Sequence, residues 1–106
     1  MAIINGMFGE LPKTPETIVV NKYKESYNVY IGRGSIWGNP YTVEQYGRDE
    51  CIEMYRKYIS KRLLNEPNLS VELRKLIGKR LGCFCKPKPC HGDVLIEMIN
   101  LLYPTA

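Results

Sequence analysis

From Lys79 to Val94 the chain reads K-R-L-G-C-F-C-K-P-K-P-C-H-G-D-V, a block with three of the four cysteines and the only histidine. These residue types support acid–base, nucleophilic or metal chemistry. Cys90 and His91 stand just before an apolar run at helical spacing. Free N–H groups and the helix dipole at such a start favour a thiolate or a bound anion. His91 can act as general acid or base near neutral pH. Asp93 can cap the helix, or serve as a catalytic carboxylate that orients His91 or a ribose hydroxyl. Lys86, Lys88 and Arg80 raise the local positive potential. His91 and Asp93 are thus candidates for proton transfer, Cys90 for a nucleophile, and Lys86 for an anion contact. An alternative assigns Cys83, Cys85, Cys90 and His91 to a structural zinc ion, which takes four such ligands tetrahedrally. The spacing is unlike a zinc ribbon or finger, since adjacent Cys90 and His91 diverge unless the backbone turns sharply. Cys83 and Cys85 also fit as small buried residues of a central strand, and Cys51 as helix core.

A second block, G-R-G-S-I-W-G-N-P, covers residues 32–40. Its three glycines permit positive φ angles and close backbone approach, so several N–H groups can converge on one ligand oxygen. Arg33 can add a bidentate contact to phosphate or carboxylate, alongside the backbone of Gly34 and Ser35. Trp37 can stack on a base, and Asn39 can read a base edge or hold the turn. The competing reading is a strand-to-helix connection in which the glycines serve geometry and Trp37 is core.

The elements around these blocks follow from periodicity. Thr17 to Tyr23 is rich in β-branched residues, and Tyr27 to Arg33 alternates, so both read as strands. The short polar link Lys24-Glu25-Ser26 predicts a hairpin between them. Thr42 with Gln45 resembles a capping box interrupted by Gly47. Asp49 is the better N-cap of a main helix with Ile52, Tyr55, Ile59 and Leu63 on its buried stripe. Pro67 ends that helix. Asn68 or Ser70 then caps a shorter one carrying Leu69, Leu73, Leu76 and Ile77, closed by Gly78. Leu81, Cys83 and Cys85 alternate on a third strand, which Pro87 and Pro89 stop. A last helix runs from about Asp93 to Leu102, with Val94, Leu95, Met98, Leu101 and Leu102 inward. The order β-β-α-α-β-α predicts an α/β fold: one domain over residues 17–106, with a small three-stranded mixed sheet covered by helices. Residues 1–16 read as an irregular arm that packs Ile3, Ile4, Met7 and Phe8 onto the core.

Bulk properties narrow the class. A chain of 106 residues supports one modest core. Its 15 basic and 11 acidic side chains leave a charge of +4, which tolerates a polyanionic partner without demanding one. The start lacks a basic n-region and a sustained apolar h-region, and no segment approaches a membrane span. The expected setting is the cytoplasm, where thiols stay reduced, so four cysteines point to metal or reactivity before disulfides. Among eight tyrosines, Tyr23, Tyr27, Tyr30 and Tyr41 cluster near the first two strands and the glycine loop. They form either a stacking platform for bases or one amphipathic strand face.

The segments V-V-N-K-Y, V-Y-I-G-R-G-S-x-W-G-N-P and G-K-R-L-G-C-F-C-K-P-K-P-C-H-G-D-V-L together resemble the DUF4326 family, small proteins of bacteria and their phages with no assigned function. The likeness spans roughly Ile18 to Leu101. Family members commonly carry tryptophan at the position of Phe84 and phenylalanine at that of Tyr41. Relatedness of this kind implies motif boundaries but no activity, and the phage association implies a role in nucleotide metabolism or host–phage conflict by analogy.

The expectation from these strands of reasoning is a cleft between the two blocks that binds a small phosphate-bearing ligand, such as a nucleotide or nucleotide sugar, or a nucleic-acid end. Glycosyl transfer or N-glycosidic cleavage suits such a ligand better than phosphoryl transfer, because there is no Walker lysine pattern and no carboxylate pair suited to magnesium. The rivals are a non-catalytic protein that sequesters a signalling nucleotide, and a zinc-stabilised module for nucleic-acid or protein interaction.

Overall fold

The computed structural model describes residues 16–104, so the expected N-terminal arm lies outside the described residues except for Glu16. Seven elements follow: β1 (Ile18–Asn21), β2 (Val29–Tyr30), α1 (Val43–Tyr46), α2 (Arg48–Asn65), α3 (Pro67–Arg74), β3 (Arg80–Cys83) and α4 (His91–Leu102). The architecture is the expected small α/β domain with a three-stranded sheet, in the order β1-β3-β2.

The strand directions differ from expectation. Both β1 and β2 run parallel to β3, with Val19 opposite Leu81 and Val29 opposite Leu81 on the other side. The sheet is therefore parallel rather than mixed, and the predicted hairpin does not form. Instead β3 inserts between the two strands, and the segment 22–28 crosses over it. Parallel neighbours usually need a dozen or more residues to connect. These strands are so short that a brief crossover suffices, and Gly82 makes room for it. A Cβ on Gly82 would lie 2.7 Å from the Tyr27 ring. Asn21 anchors the departure, accepting a hydrogen bond from the Tyr23 N–H at 2.9 Å and donating to the Lys86 carbonyl at 2.9 Å.

The alternation on β3 places Leu81 and Cys83 on the helix-covered side, where they join Ile31, Tyr55, Ile59, Val94 and Leu95 in one core. Burying each such aliphatic side chain contributes roughly 1.5–3 kcal/mol. On α2 the fully covered positions are Cys51, Tyr55 and Ile59, with Ile52 and Leu63 packed at the edge. The helix starts one residue before Asp49. Gly47, at φ +79°, is its N-cap, because Thr42 already caps the single turn of α1 through its Oγ1 and the Gln45 N–H. Pro67 occupies the first turn of α3 after Glu66, so neither Asn68 nor Ser70 is the cap. Helix α3 ends at Arg74 with Lys75 as its C-cap, so the expected Leu76 and Ile77 lie in the turn beyond it, and Gly78 takes its positive φ at the end of that turn rather than at the helix end.

Helix α4 begins two residues before the predicted Asp93. Its Gly92 presses on Val19 and Ile31, where a Cβ would meet both side chains at 2.8 Å. The inward stripe is His91, Val94, Leu95, Met98 and Ile99. Leu101, expected inside, is 72% exposed, and Leu102 is also exposed. Leu101 stands two residues past Ile99, roughly 200° around the helix, which turns it away from the sheet. Among the described residues no helix is long and apolar enough to cross a membrane.

Candidate functional site

A cleft of about 330 Å³ opens at the carboxyl ends of β2 and β3. One wall is the loop that follows β2, represented by Gly32, Arg33 and Asn39. The other is the end of β3, the loop that follows it and the start of α4, with Cys83, Phe84, Cys85, Cys90 and His91. The segment 41–52 closes the third side through Tyr41, Val43, Glu44, Arg48, Cys51 and Ile52. The two blocks singled out in the sequence thus face each other.

Within the first block, geometry claims most of the residues. Ser35 closes a turn, its hydroxyl and its N–H both donating to the Gly32 carbonyl at 2.7 and 3.1 Å. Gly34 adopts φ +91° at the exposed tip of that turn. Neither lines the cleft. Trp37 corrects the sequence expectation most sharply. It is 3% exposed and packed in the core, and its carbonyl accepts the buried Tyr55 hydroxyl at 2.7 Å. A base cannot reach its face. The residue turns inward because Gly38 lets the chain fold back on itself: a Cβ there would lie 2.9 Å from the Gly32 carbonyl oxygen.

Arg33 and Asn39 remain at the cleft. Arg33 is exposed, and its guanidinium has no hydrogen-bond or ion-pair partner among the described residues. Its positive charge nevertheless reaches His91 and Cys51, lowering the pKa of each. Asn39 holds the turn, accepting the Tyr41 N–H at 3.0 Å and donating to the Cys51 sulfur at 3.2 Å. Burial outweighs these contacts and pushes the Cys51 thiol up.

The second block is more densely coupled. His91 is buried, and its Nε2 lies 2.7 Å from the Ile31 carbonyl oxygen. A carbonyl only accepts, so Nε2 carries the proton and Nδ1 is left as the basic atom. The ring stands edge-on to Tyr55 at 5.0 Å. Burial drives its pKa down, against the opposing pull of the Ile31 hydrogen bond and Asp93, so His91 is neutral near pH 7. Asp93 does not line the cleft. Its two oxygens are spent on the Cys90 N–H at 3.1 Å and the Lys86 ammonium at 2.7 Å, which together brace the start of α4. The predicted catalytic carboxylate and the predicted anion-binding lysine are therefore each other's partner. Burial opposes the Lys86 charge, yet the Asp93 contact carries its pKa above the usual value.

The Cys83 and Cys90 sulfurs approach to 3.4 Å, and both thiols are free. The Cys90 S–H contact holds the Cys83 pKa well down, helped by N–H groups of Cys85 and Lys86 and by the Lys86 charge. Cys90 is pushed up in turn, by its bond to Cys83 and by burial. The two sulfurs thus share one charge site, with the Cys85 and Lys86 N–H groups favouring charge on Cys83 and the Gly92 N–H favouring it on Cys90.

The zinc alternative does not fit. Among the described residues no three His, Cys, Asp or Glu side chains are arranged around one ion site. The reason is visible at residues 90 and 91, where the thiol turns to Cys83 while the imidazole turns to Ile31 and Tyr55.

The tyrosines divide. Tyr23 and Tyr30 surround Phe84, with ring centroids 5.3 and 6.2 Å away, and the Lys22 ammonium sits 4.9 Å from the Phe84 centroid. Tyr41 instead packs edge-on to Tyr46 and Tyr58. Glu44, Arg48 and Phe84 are cleft residues that the sequence did not single out. Arg48, Cys51 and Ile52 share the i, i+3, i+4 spacing of one helix face, and that signal was available.

A family described as "Domain of unknown function (DUF4326)" matches residues 18–101. An uncharacterized 12.4 kDa protein from the nrdA-td intergenic region of Enterobacteria phage T4 is 42% identical over 85 residues, covering 80% of this chain and 79% of that protein. An uncharacterized protein of Acanthamoeba polyphaga mimivirus is 33% identical over 101 residues, covering 77% of this chain and 74% of the other. No solved structure matches.

Proposed function

We propose that this chain, which belongs to the DUF4326 family, binds a phosphate-bearing, nucleotide-type ligand in the cleft between the loops that follow β2 and β3. One observation carries the proposal: Arg33, without a partner among the described residues, faces the N-terminal end of α4 across a cleft at the carboxyl ends of parallel strands. Ligands of open parallel sheets favour that end, and phosphates favour such helix starts. Arg33 and the more engaged Arg48 supply positive charge, Arg48 while donating to the Pro89 carbonyl at 3.0 Å. The base contact moves from the sealed Trp37 to the cleft aromatics Tyr41 and Phe84, and Asn39 stays in reach of a base edge. Glu44 is the carboxylate of the cleft lining and suits a sugar hydroxyl.

Thermal-shift titration with nucleoside phosphates and nucleotide sugars tests this. A binder at 100 times its Kd stabilises the fold by about 2.7 kcal/mol. Arg33→Ala is expected to weaken a hit by about 2 kcal/mol, roughly thirtyfold in Kd. A response that ignores Arg33→Ala, or no response to any such compound, argues against the cleft as a phosphate site.

A neutral His91 with a basic Nδ1 also favours a second reading, in which the bound N-glycosidic bond is transferred or cleaved. Product analysis separates it from sequestration. In that case His91→Ala abolishes turnover and spares much of the affinity.

A further inference from the structure

Cys83 ends β3 and Cys90 immediately precedes α4, so the 3.4 Å approach of their sulfurs joins two elements. Both are free thiols, and both border the cleft. A disulfide S–S bond is about 2.05 Å long, so the pair needs to close by little more than about 1 Å. The loop between them is held by contacts that use neither sulfur. Lys88 N–H donates to the Cys85 carbonyl at 2.8 Å, Lys86 pairs with Asp93, and Asp93 accepts the Cys90 N–H. Closing the sulfurs therefore keeps the brace intact. Asp93 holds the Lys86 ammonium beside this loop, and that charge with the N–H groups that follow Cys83 favours a thiolate on Cys83, leaving Cys90, the N-cap of α4, as the thiol that follows.

We propose that Cys83 and Cys90 form a peroxide-reactive dithiol, with Cys83 the attacking and Cys90 the resolving sulfur. Both residues line the cleft yet are only 1% and 2% exposed, which favours a small oxidant over a bulky disulfide, with hydrogen peroxide as the co-reactant class. The Cys83 thiolate attacks one peroxide oxygen, forming an S–O bond and breaking O–O. The departing hydroxide takes up the proton that Cys83 released earlier and becomes water. The Cys90 sulfur then attacks the Cys83 sulfenic sulfur, forming S–S and breaking S–O. The oxygen leaves as a second water with the Cys90 proton. Two electrons pass from the thiols to the peroxide, and the products are one disulfide and two waters. Nothing in this chemistry requires the nucleotide-type ligand.

The test treats the full chain with one equivalent of hydrogen peroxide and maps the products by peptide mass spectrometry. The expected product has lost two hydrogens and carries a Cys83–Cys90 cross-link, formed at least about tenfold faster than any modification of Cys51 or Cys85. Cys90→Ser should stop at a Cys83 that has gained one oxygen and reacts with a sulfenic-acid trap. Cys83→Ser should consume peroxide at least about tenfold more slowly than the parent. First oxidation at Cys51 or Cys85, or an unchanged rate in Cys83→Ser, overturns the proposal. Faster oxidation by glutathione disulfide than by hydrogen peroxide overturns the choice of oxidant. The cross-link map of the unsubstituted protein decides the matter even if a variant fails to fold.

Discussion

The two walls of the cleft are built on opposite terms. In the loop after β2, the residues with the most chemical appearance are structural: Ser35 closes a turn, Gly38 admits a close backbone approach, and Trp37 fills the core. From it only Gly32, Arg33 and Asn39 line the cleft. On the other wall, a residue that looked like core filling, Cys83 at the end of β3, meets the Cys90 sulfur at 3.4 Å, while the apparent acid Asp93 is a brace. A side chain's chemistry depends on what already satisfies it. Trp37 and Asp93 are fully engaged, whereas Arg33 has no partner among the described residues.

Substitutions can break this contrast. The largest effect is expected at Trp37. Trp37→Ala should cost about 3–5 kcal/mol in denaturant unfolding, the range for emptying a buried aromatic site. A loss of ligand affinity with stability unchanged would restore Trp37 to a stacking role.

Asp93→Asn comes next, at about 1–2 kcal/mol, because it weakens both the contact with the Cys90 N–H and the pair with Lys86. Lys86→Met should overlap with it in a double-mutant cycle rather than add. Full additivity would show that the two side chains act apart.

A smaller, pH-dependent effect belongs to His91. Burial lowers its folded-state pKa below the 6.5 expected of an unfolded chain. The unfolded state therefore binds the extra proton first as pH falls. The His91 contribution is complete above about pH 6.5 and is lost as pH drops through the lower folded value. Melting temperatures should fall between pH 7 and pH 5.5. His91→Gln keeps a donor for the Ile31 carbonyl and should flatten that slope. An equal slope in the variant would assign the pH dependence to other groups.

The smallest stability effect is expected at Arg33. Arg33→Ala should change unfolding by no more than about 0.5 kcal/mol, since an exposed side chain without a partner holds nothing in place. A larger loss would give Arg33 a structural role and remove it from the ligand site.

These contrasts also mark what sequence could and could not convey. The alternation of Leu81 and Cys83 and the periodicity of α2 and α4 carried the elements and the α/β class, because local spacing decides which side chains share a face, although β3 ends at Cys83 and leaves the expected Cys85 beyond it. Strand direction escaped it. The Lys24-Glu25-Ser26 link suits a hairpin, and only the contact of Tyr27 with Gly82 reveals that the segment crosses β3 instead. The pairing of Lys86 with Asp93 and of Cys83 with Cys90 likewise depends on how the proline-bearing loop returns to α4, which residue types alone do not specify. That the two blocks share one cleft was expected from their residue types, and the parallel pairing of β2 with β3 supplies the reason that the sequence did not, since loops after parallel strands gather at the same end of a sheet.

The most direct measurement is a titration of isotope-labelled protein with a nucleoside phosphate from the thermal-shift screen, followed by amide NMR. Binding in the shared cleft should move the amides of Gly32 and Arg33 together with those of Cys85, His91 and Gly92, all along one saturation curve. Movement confined to a single loop, or to residues remote from both, would contradict a common ligand site.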